Sequence, residues 1–168
     1  MMAGKFAIVI AAVAAVMIFL LVVPDFDSDQ PPSAESRLDL EYSRQHIVRT
    51  ENGSLVAASA ELLVIRDDGS ATYSKINGTR TDERSFSVES EEMKRLRALI
   101  GMGFMQVPEH DYIQKEGLAS FTKYKLVVKS DESSNAVSWV DAESYEGVVP
   151  PLITNIGSQL DGIISGLA

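Results

Sequence analysis

The chain contains two histidines, the side chains that acid–base catalysis and metal binding use most often. They are His46 and His110, and only His110 has acidic neighbours, in the run Glu109-His110-Asp111. Adjacent residues rarely point toward one metal ion, and this run follows Pro108 in a segment without helical or strand periodicity. We therefore interpret the run as a polar turn and predict neither a metal site nor a cofactor.

Other catalytic patterns are also missing from the sequence. A serine nucleophile on a sharp Gly-x-Ser-x-Gly turn does not occur. The glycines of Gly101-Met102-Gly103 follow a helical pattern instead of opening one, so they do not form a phosphate-binding loop. There is no cysteine, which excludes disulfides, thiolate zinc sites, a cysteine nucleophile and a lipoprotein anchor. We predict no catalytic residue and a protein that is not an enzyme; an enzyme is the remaining alternative, which a large pocket lined by Glu109, His110 and Asp111 would favour.

Two asparagines match the acceptor pattern for N-glycosylation. Asn52-Gly53-Ser54 and Asn77-Gly78-Thr79 both fit, and both lie in predicted exposed turns. Asn-Gly is also a favoured turn dipeptide for structural reasons alone. Asn52 and Asn77 are therefore candidate glycosylation sites, with an ordinary turn as the alternative.

The charge of the chain restricts its partners. The formal net charge is −9 at pH 7, the wrong sign for binding nucleic acid phosphates. The same charge repels anionic lipid headgroups. We therefore predict no nucleic acid partner.

An apolar segment near the N-terminus predicts the location of the protein. Residues 6–23 carry no charge, amide, proline or glycine, and eighteen helical residues span about 27 Å, enough for the hydrocarbon of a bilayer. Lys5 precedes the segment and Asp25, Asp27 and Asp29 follow it, so the N-terminus is predicted to be cytoplasmic. We expect a single-pass protein of the cell membrane that contacts membrane lipid through residues 6–23. A cleaved signal peptide remains the alternative, although no small-residue cleavage pattern closes the segment.

The rest of the chain divides into a linker and one domain. Residues 1–23 form the predicted signal-anchor, and the proline-rich, acidic residues 24–37 form a solvated linker. Residues 38–168 form the predicted extracytoplasmic domain. Alternating or continuous apolar residues predict about five to six strands there, in the segments Leu38–Tyr42, Leu62–Ile65, Ala71–Ile76, Ser85–Val88, Phe121–Val128 and Ala136–Val140.

Two helices complete the predicted domain. The first begins near Ser90 and is stopped by Gly101 and Gly103, with Met93, Leu96, Leu99 and Ile100 on one face. The second begins at Pro150-Pro151 and has an apolar stripe along one face. Asp161 is the only charged residue in this helix. The segment from Phe104 through Gly117 is predicted to be an irregular loop. The predicted fold class is α+β: an antiparallel sheet packed by two main helices and preceded by one transmembrane helix.

The order of these elements resembles the emfourin-type domain. The resemblance rests on Val64-Ile65-Arg66-Asp67-Asp68-Gly69, a helix ending at Gly103-Phe104, the strand with Trp139 and the final Pro150-Pro151 helix. The founding emfourin inhibits thermolysin-like metallopeptidases, so the resemblance implies a peptidase inhibitor. The chain departs from the emfourin pattern at residues 45–59, where emfourin-like sequences have a compact glycine-rich turn and this chain has Gly53 as its only glycine. No inhibitory residue is therefore carried over from the family. The chain is also similar to uncharacterised single-pass membrane proteins of archaea.

Two functions are consistent with these features. The first is a membrane-anchored extracytoplasmic binding module with a protein partner, in particular a peptidase inhibitor. The second is a structural or accessory subunit of a larger membrane or envelope complex. The alanine-rich stretch Ala11–Ala15 favours the second, because small side chains permit close helix approach in lipid.

Overall fold

A central β-hairpin organises the fold of this protein, described here from a computed structural model. The structure describes residues 37–108, 110–131 and 133–167. Strand β1 (Leu38–Arg49) pairs antiparallel with β2 (Leu55–Ile65) on one side and with β6 (Ser120–Ser130) on the other. The remaining strands are β3 (Ser70–Asn77), β4 (Arg80–Ser87), β5 (His110–Asp111) and β7 (Ser134–Val140). They form one sheet in the order β4-β3-β2-β1-β6-β7-β5.

Two helices and two short 3₁₀ turns connect the strands within the described residues. Helix α1 (Ser90–Gly101) follows β4, and helix α2 (Pro151–Ser165) follows β7. The 3₁₀ turns cover Phe104–Gln106 and Ala142–Ser144. Among the described residues, neither helix has the length and apolar composition of a membrane-spanning segment. The predicted transmembrane segment, residues 6–23, and residues 24–36 of the predicted linker lie outside those residues.

Both helices pack on the same face of the sheet. The register places Leu40 opposite Ile65 and Val128, so alternate residues of neighbouring strands share this face. Helix α1 contributes residues at three- and four-residue spacing, as its sequence predicts. The fully buried side chains of this core include Leu40, Tyr42, Leu63, Ile65, Leu96, Phe104, Leu126, Val128, Val137, Ile153, Ile156 and Leu160.

The structure confirms the α+β class and the two helices, but the sheet differs from the prediction in two respects. In the part of the chain that the structure describes, the sheet has seven strands where about five to six were expected, and one of its pairings is parallel. Both differences come from β5, which pairs with β7 through His110 and Asp111 inside the segment predicted to be an irregular loop. Two residues cannot show periodicity, so only the long-range pairing makes this segment a strand.

The first hairpin is also longer than its sequence pattern indicates. Strands β1 and β2 continue to Arg49 and Leu55, and the register shifts between His46 and Ile47. Such a bulge places two residues of one strand opposite one of the other, which breaks the alternation of apolar and polar residues. Residues 45–59 therefore form most of the outer half of this hairpin. Sequence periodicity does not reveal that half.

Candidate functional site

The residues of the predicted polar turn do not form a site in the described structure. His110 and Asp111 are both exposed in β5, and Glu109 lies outside the described residues. The His110 ring contacts the ring of Tyr112 edge-on, with centroids 4.7 Å apart. No group of three histidine, aspartate or glutamate side chains that could hold a metal ion occurs among the described residues.

His46 lies far from His110 in the sheet. Strands β6 and β7 separate the strands that carry the two histidines. His46 is exposed on β1, where it borders a small cavity of about 230 Å³ that is also lined by Arg44, Glu61 and Tyr124. The two histidines therefore cannot act on one reacting atom.

The two candidate glycosylation sites are both exposed, one within a turn and the other at the end of a strand beside a turn. Asn52 is in the tip of the β1–β2 hairpin, where its Oδ1 accepts a 3.2 Å hydrogen bond from the backbone N–H of Ser54. Asn77 is the last residue of β3 and is exposed beside the turn into β4. Their glycosylation stays a prediction.

Three aromatic rings stack on the helix-covered face of the sheet. Tyr42 of β1, Tyr124 of β6 and Trp139 of β7 come together because the register places Tyr124 directly opposite Trp139. The Tyr124 and Trp139 rings are 5.4 Å apart with an interplanar angle of 13°. Tyr42 stacks 6.2 Å from Trp139 and 6.3 Å from Tyr124. We call Tyr42, Tyr124 and Trp139 the aromatic trio.

An open cleft of about 450 Å³ lies against the aromatic trio. Helix α2 forms one wall with Thr154, Gly157, Ser158 and Asp161, and the segment from Asp141 to Val149 forms the other. Val148 in that segment is 83% exposed. We call this cavity the aromatic cleft.

A glycine sets the distance between helix α2 and the aromatic trio. A Cβ added at Gly157 would lie 2.9 Å from Cζ2 of Trp139, closer than such atoms approach in real proteins. Since Trp139 is buried and stacked on two tyrosines, its ring cannot easily move away. Gly157 therefore lets the helix approach the aromatic trio and form the wall of the aromatic cleft.

A half-buried charge network fixes one end of the aromatic cleft. Oδ1 of Asp161 accepts a 3.0 Å hydrogen bond from the Tyr42 hydroxyl and a 3.1 Å bond from Nη1 of Arg44. Nε of Arg44 donates to Glu61, whose other oxygen lies 3.0 Å from Nζ of Lys75. The network joins helix α2 to β1, β2 and β3 and holds Tyr42 in place.

The network changes the titration of its members. Burial raises the pKa of Tyr42 well above its ordinary value, and the charge of Asp161 and the hydrogen bond to it raise it further. The pKa of Tyr124 is raised by burial and then by Asp161 and Asp141. Burial disfavours the Glu61 carboxylate, but the hydrogen bonds from Arg44 and Lys75 outweigh burial, so the pKa of Glu61 is lowered. Both tyrosine hydroxyls therefore stay neutral at physiological pH.

The sequence patterns did not identify this site. Arg44 and Glu61 lie just beyond the two strand segments that periodicity predicts in this hairpin, and Asp161 is distinguished in the sequence only as the single charge of its helix. A charge on an otherwise apolar helix was the one available signal, because such a residue needs a partner when the helix packs on a sheet.

A scan against protein-family models finds no match for this chain, and a search of curated proteins finds no similar sequence. The resemblance to emfourin-type domains therefore stays an expectation from the order of the elements. The aromatic cleft and its charge network are the features from which a function is argued.

Proposed function

We propose that this chain is a membrane-anchored, extracytoplasmic binding module that holds a protein partner in the aromatic cleft. The observation that carries the proposal is the aromatic cleft itself, an open cavity of about 450 Å³ beside three stacked rings. Binding sites are typically concave, lined by aromatic side chains and supplied with a few fixed polar groups. The charge network supplies the polar groups, and packing against Gly157 keeps Trp139 in place before a partner arrives.

A blocking substitution tests this proposal. Ser158 is exposed on α2 and lines the aromatic cleft, whereas Asn155 is exposed on the same helix and does not line it. Ser158→Trp should fill the cleft, and Asn155→Trp adds the same bulk outside it. In pull-downs of the tagged full-length protein in mild detergent, a partner should be recovered with wild type and Asn155→Trp but not with Ser158→Trp. Equal recovery with both variants would reject the cleft as the binding site.

The proposed anchor is the apolar segment at residues 6–23. Its eighteen uncharged residues suit a bilayer, and Lys5 on its N-terminal side favours a cytoplasmic N-terminus and export of the other end. Alkaline extraction should leave the full-length protein in the membrane fraction. Protease added outside intact cells or spheroplasts should cleave residues 38–168. Release of the protein by alkali would reject the prediction of a membrane anchor. Protection from protease would reject the predicted extracytoplasmic location of residues 38–168.

Peptidase inhibition is the specific binding activity that the emfourin-like resemblance implies. The full-length protein in detergent should then slow a thermolysin-like metallopeptidase in proportion to the inhibitor added. Unchanged hydrolysis at excess protein would eliminate inhibition of this class while leaving a different partner open.

The accessory-subunit hypothesis is favoured by the stretch Ala11–Ala15. It places the main contact in the membrane, where small residues allow helices to pack closely. Replacing residues 6–23 by an unrelated leucine-rich span separates the two functions. Loss of the partner with this replacement, together with retention in Ser158→Trp, would favour the accessory subunit.

A further inference from the structure

We propose that the partner inserts a lysine or arginine side chain into the aromatic cleft. This inference rests on the proposed function and specifies the chemistry of the partner segment.

The first support is the sign of the charges that line the aromatic cleft. Its only charged lining residues in the described part of the chain are Asp141 and Asp161. The backbone N–H of Thr122 donates a 2.7 Å hydrogen bond to Oδ2 of Asp141, and both bonds to Asp161 end on Oδ1. Each carboxylate thus keeps one oxygen that accepts no hydrogen bond from the described residues. These oxygens are available acceptors for an ammonium or guanidinium group.

The second support is the charge balance of the adjoining network. Arg44 and Lys75 supply two positive charges, whereas Glu61 and Asp161 supply two negative ones, and Asp141 adds a third negative charge at the cleft. The site is therefore one positive charge short of neutrality. A single cationic side chain would restore the balance, while an acidic ligand would add repulsion.

The third support is the apolar part of the aromatic cleft. Tyr124 is the partly exposed ring of the aromatic trio, and aromatic side chains attract cations through the negative faces of their rings. Lysine and arginine also carry methylene stems that cover apolar surface while the charged end binds elsewhere. Val148 and Val149 offer such a surface at the wall of the cleft.

A polypeptide fits these features better than a lipid surface does. The chain has a formal net charge of −9, so its overall field attracts a basic partner and repels an anionic membrane. We therefore assign the aromatic cleft to a basic segment of a protein partner.

The single tryptophan of the chain gives a direct test, because Trp139 lines the aromatic cleft. Tryptophan fluorescence of the full-length protein, in a neutral detergent, would be titrated with four peptides of the form acetyl-Ala-Ala-X-Ala-Ala-amide. X would be lysine, arginine, norleucine or glutamate. Saturable changes are expected for the lysine and arginine peptides and none for the other two.

Two charge-neutralising variants refine the test. Asp161→Asn keeps an oxygen that can accept from Tyr42 and Arg44, but it removes the charge. It should weaken binding of the lysine peptide by about three- to tenfold. Asp141→Asn should have a similar effect and replaces Asp161→Asn in the test if that variant does not fold. Glu51→Gln removes one charge from the exposed hairpin tip outside the aromatic cleft and should leave binding unchanged.

Several outcomes would overturn the inference. They are equal responses to the lysine and norleucine peptides, no response to either cationic peptide at millimolar concentration, and equal weakening by Asp161→Asn and Glu51→Gln. Binding of phosphocholine in place of lysine would assign the cleft to a lipid headgroup. The blocking experiment with Ser158→Trp separates the proposal of a binding module from the proposal of a basic partner. If Ser158→Trp loses the partner but the cleft shows no preference for cationic peptides, the binding module is retained and the basic partner is rejected.

Discussion

Gly157 lies directly against the Trp139 ring, so that an added Cβ would sit 2.9 Å from Cζ2. Gly157→Ala should therefore force the buried ring from its stack and destabilise the protein by about 1–3 kcal/mol. Urea unfolding of the full-length protein in detergent, followed by Trp139 fluorescence, measures this change in the free energy of unfolding.

Gly162 provides the matched control in the same helix. A Cβ at Gly162 would meet no atom within 4 Å. Gly162→Ala should stabilise the protein by up to about 1 kcal/mol, because alanine favours helix more than glycine does. Destabilisation of similar size in both variants would show that the contact with Trp139 is not what requires glycine at position 157.

The Tyr42 hydroxyl makes stability sensitive to alkaline pH. Burial and then Asp161 raise the pKa of Tyr42, so the unfolded chain loses this proton at a lower pH than the folded protein does. The stability that Tyr42 contributes is complete below the ordinary tyrosine pKa of about 10 and falls as pH rises above it. Tyr42→Phe should cost about 1 kcal/mol at neutral pH and lessen the loss of stability above about pH 10. Parallel alkaline profiles of variant and wild type would contradict this role.

Glu61 makes stability sensitive to acid. Burial disfavours its carboxylate, but the hydrogen bonds from Arg44 and Lys75 outweigh burial, so the pKa of Glu61 is lowered in the folded protein. The stability that Glu61 contributes is therefore complete above the ordinary glutamate pKa. It is lost as the pH falls through the pKa of Glu61 in the folded protein. Glu61→Gln should cost about 2 kcal/mol near neutral pH and flatten the acid limb of stability below about pH 4.5. Glu91→Gln removes a carboxylate that is 68% exposed and pairs with Lys94, so it should cost less than about 0.5 kcal/mol. Equal effects of the two variants, measured by urea unfolding across pH, would contradict the role given to the network.

Asn135 secures the chain after helix α1. Its side chain is buried, and Nδ2 donates 2.7 Å and 2.8 Å hydrogen bonds to the carbonyls of Phe104 and Val107. Asn135→Asp replaces this donor by a carboxylate and should cost about 3 kcal/mol at neutral pH, since two carbonyls lose their partner and a charge is buried. Asn155→Asp, at an exposed helix position, should change stability by less than about 0.5 kcal/mol. Thermal unfolding would measure both, and a small loss in Asn135→Asp would show that the two bonds are dispensable.

The strands and helices with regular apolar spacing could be predicted from the sequence. Leu38, Leu40 and Tyr42 alternate with polar residues, and their face is the buried one. Helix α1 and helix α2 also follow their apolar stripes, because burial on one side of a helix leaves a clear period in the sequence. These elements depend on local patterns that a single sequence contains.

The aromatic cleft could not be predicted in the same way. Its aromatic trio comes from three strands, and Tyr124 meets Trp139 only through the register of β6 with β7. Arg44 donates a hydrogen bond to Asp161, which lies 117 positions away in the sequence. Long-range pairings of this kind produce no periodic pattern of apolar residues in the sequence. In the first hairpin, the bulge after His46 also interrupts the local alternation of apolar and polar residues.

Photo-crosslinking from within the aromatic cleft tests the central proposal most directly. A photoreactive phenylalanine analogue would replace Val148, which lines the cleft and is 83% exposed, or Met102, which is 73% exposed and does not line it. Illumination of native membranes followed by mass spectrometry would identify the captured polypeptide. The proposal predicts one specific protein adduct from position 148 that is absent from position 102 and suppressed by Ser158→Trp. The same adducts from both positions, or none from position 148, would contradict it.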